Sequence, residues 1–426
     1  MYLTDRSAPP KAGAADQGRR RGPVSGVAPV VLVLGTVSLI TDISSEMVTA
    51  VLPLYLVTTL GFSPLGFGTL DGVYNGVSAL VQLTGGHLAD RVRNHKLMAG
   101  LGYGLSALCK PLLLLASSVG ALGTVLALDR TGKGLRTAPR DAMISLSTPA
   151  ARQGRAFGVH RAMDTTGALL GPLTAFLILR AAADGYDAVF GVSACVAVLG
   201  VLVLVLFVPG RRRAPDAPGA PEEGTAGRQP VRVREALALL RLPRLRALAA
   251  CAALLGLTTV SDAFVYLLLQ RRAGIGEEWF PLLPLGTAAV FLLLAVPVGA
   301  LADRIGRRTV FLAGHAVLLT GYALLLWAPA APALPFLVLA LHGVFYAATD
   351  GVLPAALAGV VPDHLRASGL AIVGTSQALA RFCCSLAFGA AWTLWGPGPA
   401  LAGSAAGLLC CAVVAGVVLR PADEAR

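Results

Sequence analysis

The stretch Asp129-Arg130-Thr131-Gly132-Lys133-Gly134-Leu135-Arg136-Thr137-Ala138-Pro139-Arg140-Asp141 continues an apolar run, Val119 to Leu128, that suits the middle of a bilayer. At 100° per residue on a helix, Arg130, Lys133, Arg136 and Arg140 fall at about 0°, 300°, 240° and 280°. All four cations therefore share one face about 120° wide, with Asp129 and Asp141 on or beside it. A lysine or arginine at membrane depth costs roughly 2.5–3.5 kcal/mol on insertion scales, so four together are opposed by roughly 10 kcal/mol. Carboxylates, water or an anionic ligand must meet them. Gly132, Gly134 and Pro139 loosen the helix, which a bilayer tolerates only where protein covers the backbone or the backbone lines a wet cavity. The spacing predicts a membrane-embedded functional face. The competing reading is a cytoplasmic loop, since residues 136–141 stand close to one end of the run.

The chain around this stretch has 426 residues, 55% hydrophobic and only 14% charged. Soluble chains carry about 25% charged residues, so this composition describes a polytopic membrane protein. Cys383-Cys384 and Cys410-Cys411 lie inside apolar runs, and the seven cysteines show no CxxC or Cys/His metal spacing. They read as small residues packing between helices, and neither a metal nor a cofactor is expected. The net charge of +12 sits largely in short loops, where it sets topology; no nucleic-acid partner is expected.

Residues 1–27 are polar, rich in Pro, Gly and Ala, and carry Arg19-Arg20-Arg21, the composition of a disordered cytoplasmic tail. A twin-arginine export signal is rejected: the apolar segment that follows is too long, contains Asp42 and Glu46, and has no small-x-small cleavage site. Six segments long enough to cross the bilayer follow, at 28–59, 65–89, 97–117, 120–145, 155–181 and 187–208. Six more lie at 244–270, 281–302, 309–328, 333–360, 367–394 and 398–419. The expected organisation is a six-helix bundle over 28–209, a flexible cytoplasmic linker over 210–243, a second bundle over 244–419 and a short tail over 420–426. Cation-rich loops alternate with poorer ones, which places both termini in the cytoplasm of a multi-pass cell-membrane protein.

The two halves repeat. Gly86-His-Leu-Ala-Asp90-Arg91 returns 213 positions later as Gly299-Ala-Leu-Ala-Asp303-Arg304, and the same shift lays Thr148-Pro149 on Val361-Pro362. Parallel repeats joined by a linker are how many transporters are built, with the site between halves near the midplane.

At these residues the chain resembles the major facilitator superfamily, over about residues 28–419. Gly299-x-x-x-Asp303-Arg304-x-Gly306-Arg307-Arg308 fits the family's loop signature, and the first copy has Arg93 where the second has Gly306. Arg130, followed by Gly132 and Gly134, resembles the segment-4 arginine of proton-coupled members. Gly167-x-x-x-Gly171-Pro172 resembles the segment-5 signature of the antiporter branch, with Ala175 and Phe176 in place of its trailing glycines. The resemblance implies an all-α fold of twelve transmembrane helices in two six-helix pseudo-repeats. It also implies transport by alternating access, driven by an ion gradient.

Asp42 and Glu46 on segment 1 are spaced i, i+4 and share a helix face, which suits a pair that binds and releases protons. They are expected to pair with Arg130 as an electrostatic switch; the alternative is that they are permanent counter-ions of the segment-4 cations. Asp164 on segment 5, four residues beyond His160, is the further coupling candidate, while His160 itself reads more readily as a solvated histidine at a helix start. Lys133, Arg136, Asp262, Tyr266, Tyr346, Asp350, Gln377 and Arg381 are candidates for a substrate cavity, with Arg381 a possible partner of Asp262 or Asp350. Gly86, Asp90, Arg91, Arg140, Asp141, Gly299, Asp303, Arg304, Gly306, Arg307 and Arg308 are expected to form a cytoplasmic gate. Gly167, Gly171 and Pro172 are expected to form a close helix-packing motif.

No phosphate-binding loop, His-Glu-x-x-His helix or nucleophile elbow occurs, so enzymatic activity is not expected. The expected function is proton-coupled efflux of a small molecule by a monomer in the lipid bilayer. One alternative is a carrier of organic anions or phosphorylated solutes gripped by the segment-4 cations. Another is a membrane receptor or scaffold that does not transport.

Overall fold

The computed structural model describes residues 28–91, 94–149, 153–182, 185–208, 239–329, 331–350, 361 and 366–419. The expected tails and nearly all of the expected linker lie outside these residues. The fold is all-α. Its first half comprises α1 (Pro29–Thr58), α2 (Pro64–Arg91), α3 (His95–Leu115), α4 (Val119–Leu146), α5 (Gln153–Ala181) and α6 (Gly185–Phe207). The second comprises α7 (Pro243–Gly256), α8 (Asp262–Ala273), α9 (Leu282–Ile305), α10 (Arg307–Trp327), α11 (Leu334–Thr349), α12 (Arg366–Trp395) and α13 (Pro397–Val418). Among the described residues, eight helices are long and apolar enough to span a bilayer.

Local chemistry sets the helix ends. The Asn94 side chain accepts from the Leu97 amide at 3.1 Å, and the Ser118 hydroxyl from the Ala121 amide at 3.2 Å, satisfying donors that α3 and α4 would otherwise leave bare. Gly306, at φ 96°, makes the sharp turn between α9 and α10 that a residue with a Cβ would adopt only under strain.

The seventh segment departs from the single helix expected over 244–270. It breaks at residues 257–261 into α7 and α8. The Thr258 and Thr259 hydroxyls donate to the Leu255 carbonyl at 3.1 and 2.8 Å, and the Val260 amide donates to the Tyr322 hydroxyl at 2.8 Å. These bonds supply partners that would otherwise come from the helical ladder. Asp262 thus opens α8, where the positive end of the helix favours a carboxylate. Of the tenth segment, α11 runs from Leu334 to Thr349, and residues 351–360 of the expected span lie outside the described chain.

Close packing rests on glycine. A Cβ at Gly167 would sit 2.5 Å from the Leu39 carbonyl oxygen, and one at Gly171 would sit 2.7 Å from the Glu46 Cβ, so α5 lies directly against α1. Gly102 and Gly132 bring α3 and α4 together in the same way. Pro172 is buried within α5.

The halves meet through α2 and α12, chiefly at the end that carries the α1–α2 turn. Gly68 and Gly72 lie against Ser385 and Phe382, and the Leu65 amide donates to the Thr393 hydroxyl at 3.0 Å. Phe264 of α8 sits among Phe67, Phe388 and Trp392, with ring centroids 4.7, 4.8 and 5.7 Å away. Further out, Phe176 stacks on Trp279 at 5.0 Å, and the Tyr186 hydroxyl donates to Glu277 at 2.9 Å. This end is sealed by aromatic contacts across the boundary.

Candidate functional site

The cationic face of α4 is inside the first bundle, and each of its four charges meets a carboxylate. Arg130 bonds Asp129 at 2.6 Å and the Tyr74 hydroxyl at 2.8 Å, with its guanidinium 4.2 Å from the centre of the Tyr74 ring. Asp129 also takes Lys110 at 3.0 Å and the Ser106 hydroxyl at 2.6 Å. Lys133 pairs with Glu46 at 3.6 Å, and Arg136 pairs with Asp42 at 3.1 Å. Arg140 bonds Asp141 at 3.0 Å, lies 3.7 Å from Asp164, and donates to Ser38 at 3.1 Å.

This ladder corrects the expected pairing. The α1 acids take Lys133 and Arg136, not Arg130, because Asp129 and Tyr74 occupy Arg130 one turn earlier. The two α1 pairs also differ in setting. Asp42 and Arg136 are shut away, with side chains 9% and 3% exposed and Arg136 stacked over Tyr103 at 4.5 Å. Glu46 and Lys133 are 26% and 36% exposed, and Glu46 reaches the central cavity. His160, expected to be solvated, is buried, with Nε2 3.2 Å from the Ser38 hydroxyl. Arg140 and Asp141 contact each other, and the further described partners of Arg140 are in the same half.

A cavity of about 370 Å³ opens between the halves. Four carboxylates line it: Glu46 and Asp71 from the first half, Asp262 and Asp350 from the second. Tyr74, Tyr266, Tyr346, Phe280 and Phe291 supply ring surface. Among the described lining residues there is no lysine or arginine. Asp262 is held by Tyr346, whose hydroxyl lies 2.6 and 2.7 Å from its two oxygens, and by His342 Nε2 at 2.9 Å. These take the place expected for Arg381. Asp71 accepts from the Ser385 hydroxyl at 2.5 Å, across the boundary between halves.

A second cavity, of about 280 Å³, lies inside the second bundle among α7, α10, α11 and α12. Arg381, Gln377 and His315 line it, and Asp350 borders both cavities. Of the substrate-cavity candidates, Asp262, Tyr266, Tyr346 and Asp350 face the central space. Gln377 and Arg381 face the second, and Lys133 and Arg136 belong to the α4 ladder.

The gate candidates divide. α2 runs through Gly86, Asp90 and Arg91, but the surroundings of these residues lie outside what is described. In the second copy, Arg307 pairs with Asp303 at 3.2 Å one turn apart, Arg308 donates to the Gly416 carbonyl, Arg304 is exposed, and a Cβ at Gly299 would meet open space. Sequence reasoning missed Asp71, Tyr74, Lys110, His315 and His342. For Asp71 and Lys110 the signal was available, since each is a charge within an apolar segment.

A family model described as Major Facilitator Superfamily matches residues 34–293 and 280–426. An uncharacterized MFS-type transporter of Methanocaldococcus jannaschii is 30% identical over 376 residues, covering 85% of this chain and 88% of that protein. An uncharacterized protein of Mycobacterium tuberculosis is 31% identical over 185 residues, 43% of this chain and 44% of its own length. The solved nucleoside transporter NupG superposes with a TM-score of 0.76 at 12% identity, over 92% of this chain and 99% of that one. A bacterial homologue of the human lysosomal transporter Spinster, in an inward-facing and unoccupied conformation, gives 0.68 at 17% identity, over 93% and 95%. At such identities the two solved structures speak for the fold alone.

Proposed function

This chain belongs to the major facilitator superfamily, and we propose that it exports a small solute bearing a basic group in exchange for protons. It is a multi-pass membrane transporter and not an enzyme. The observation that carries the finer reading is the central cavity, with four carboxylates and no described cation on its wall. Like charges gathered in a poorly solvated space are relieved by a proton or by a cationic ligand, and the two compete. That competition is exchange.

Glu46 is the coupling acid at the cavity wall, with Lys133 as the cation it releases when protonated; Asp42, Arg130 and Asp164 hold the ladder behind it. The difference in how protons and cargo bind the two conformations sets how far the rocking equilibrium moves. With both termini cytoplasmic, as the loop charges argue, the aromatic seal is extracellular and the cavity is captured facing inward. The alternative of an anion gripped by the α4 cations has less support, because each of those cations already meets a carboxylate.

The test is flux into liposomes with an acid interior, measured on a panel of amine-bearing solutes. Uptake of a hit is expected to vanish when the pH gradient is collapsed and in Glu46→Gln. A solute that equilibrates equally well with and without the gradient, in both proteins, overturns the coupling.

A further inference from the structure

Arg381 is a guanidinium within the apolar twelfth helix, and among the described residues it makes no hydrogen bond or ion pair. Its position contrasts with every cation of the α4 ladder, each of which has a carboxylate within 4 Å. Asp262, Asp350 and Asp71 act on the Arg381 charge at longer range, but N–H donors that meet no described acceptor are costly in such a place and are retained where water or a ligand answers them. The 280 Å³ cavity it lines is large enough for a small organic solute and carries an ordered set of donors and acceptors.

Arg381 offers a planar fork of donors, the shape that fits a carboxylate or other oxyanion through two parallel bonds. Gln377, one turn earlier on α12, adds an amide that can donate to the same group. Acceptors stand elsewhere on the wall. Asp350, the residue that caps α11, brings a carboxylate to the wall at longer range from Arg381. His315 Nδ1 lies 2.8 Å from the Phe311 carbonyl, which can only accept, so a neutral ring keeps Nε2 as an acceptor. The Thr349 and Thr259 hydroxyls each donate at 2.8 Å to the carbonyl four residues earlier, Phe345 and Leu255, and so present oxygen lone pairs. Phe311 and Phe345 close the wall with apolar surface.

We propose that this cavity is an oxyanion subsite on Arg381 and Gln377, and that the cargo is amphoteric. Its carboxylate or equivalent oxyanion binds Arg381, and its basic group points to Asp350 and the acids of the adjoining central cavity. This names the substrate class of the transport reading and rests on that reading only for the role of the ligand as cargo. Asp350, shared by the two cavities, is where the basic group would be handed from one to the other.

The experiment is thermal unfolding and equilibrium binding on the purified full-length protein in detergent, with no gradient present. Probes are β-alanine, γ-aminobutyrate and ε-aminocaproate, set against acetate, inorganic phosphate, n-butylamine and sodium chloride at matched ionic strength. At least one amino acid of the series is expected to stabilise the protein more than acetate and n-butylamine combined. Arg381→Gln is expected to weaken it about tenfold or more, since a hydrogen bond to a charged group is lost. Arg381→Lys, which keeps the charge without the fork and guards against a misfolded Gln variant, is expected to retain part of the response. Asp350→Asn should abolish the preference for the amino acids over acetate. A response equally given by chloride, or one fully retained in Arg381→Gln, overturns the subsite. Acetate or phosphate matching the amino acids overturns the amphoteric assignment. Failure here leaves gradient-driven flux untouched, and loss of gradient coupling leaves these equilibrium results untouched, so the two proposals fail separately.

Discussion

The Asp71 carboxylate on α2 accepts a hydrogen bond from the Ser385 hydroxyl on α12, 2.5 Å away, across the boundary between the two halves. It lies beside the glycines that let α2 and α12 touch, at the edge of the central cavity. A cargo cation or a proton arriving at Asp71 therefore acts on one of the contacts that join the halves. Ser385→Ala removes the donor and leaves a carboxylate short of a partner. Spin labels at Thr59 and Ala273, on opposite halves at the sealed end, are expected to show more of a long-distance population in Ser385→Ala than in the parent protein. An unchanged distance distribution would show that the bond does not contribute to closure.

The Asp42–Arg136 pair is buried on both sides, so breaking it strands a charge. Arg136→Gln is expected to destabilise the protein by about 3–5 kcal/mol, the range for removing one partner of a buried pair. Replacing both, Asp42→Leu with Arg136→Met, should recover most of that loss. Thermal unfolding in detergent of the two single variants and the double variant checks the cycle.

The Glu46–Lys133 pair predicts the opposite pattern. It is partly exposed and 3.6 Å long, so its stability contribution is small, under about 1 kcal/mol. Lys133→Gln should unfold near the parent temperature. Glu46→Gln should do the same while losing the response of flux to a pH gradient. Equal losses of stability in Glu46→Gln and Asp42→Asn would contradict the division of labour between the two α1 acids.

Gly171 of α5 has no room for a side chain: a Cβ there would lie 2.7 Å from Glu46 Cβ and 2.9 Å from the Ile43 carbonyl oxygen, both fixed parts of α1. Gly171→Val is expected to cost 2 kcal/mol or more, roughly the upper range for overpacking. Gly104, whose Cβ would meet open space, is the control, and its alanine variant should be near neutral. Comparing the two by thermal unfolding separates a packing effect from a general loss of glycine.

The architecture was legible because the bilayer leaves few choices: apolar runs of spanning length must be helices. The shared face of the four α4 cations was legible too, along with their need for carboxylates, water or an anionic ligand; that carboxylates meet all four was not. Nor was the carboxylate each would take. Arg130 points where its own neighbour Asp129 and Tyr74 of α2 meet it, and only the lateral packing of α2, α3 and α4 decides that. Asp71 was passed over although a lone acid between Leu70 and Gly72 is the same kind of signal as Asp262. The break in the seventh segment depends on the Tyr322 hydroxyl, 62 residues away, reaching the Val260 amide, a contact that no local pattern announces. His342 fell within a run that reads as ordinary apolar helix, and its meaning comes from Asp262 on another element.

That break gives the sealed end a short, separable moving part. α8 has twelve residues, about 18 Å, bounded by the unwound stretch 257–261 at one end and the left-handed Gly274 at the other. Phe264, the ring that touches Phe67, Phe388 and Trp392 together, rides on it. The same helix carries Asp262 and Tyr266 on the wall of the central cavity, so a pivot of this one arm would move the Phe264 stopper and two cavity-lining side chains together. A hinge of a few residues would then tie the sealed end to the cavity wall, and a molecule wedged beneath Phe264 would immobilise both.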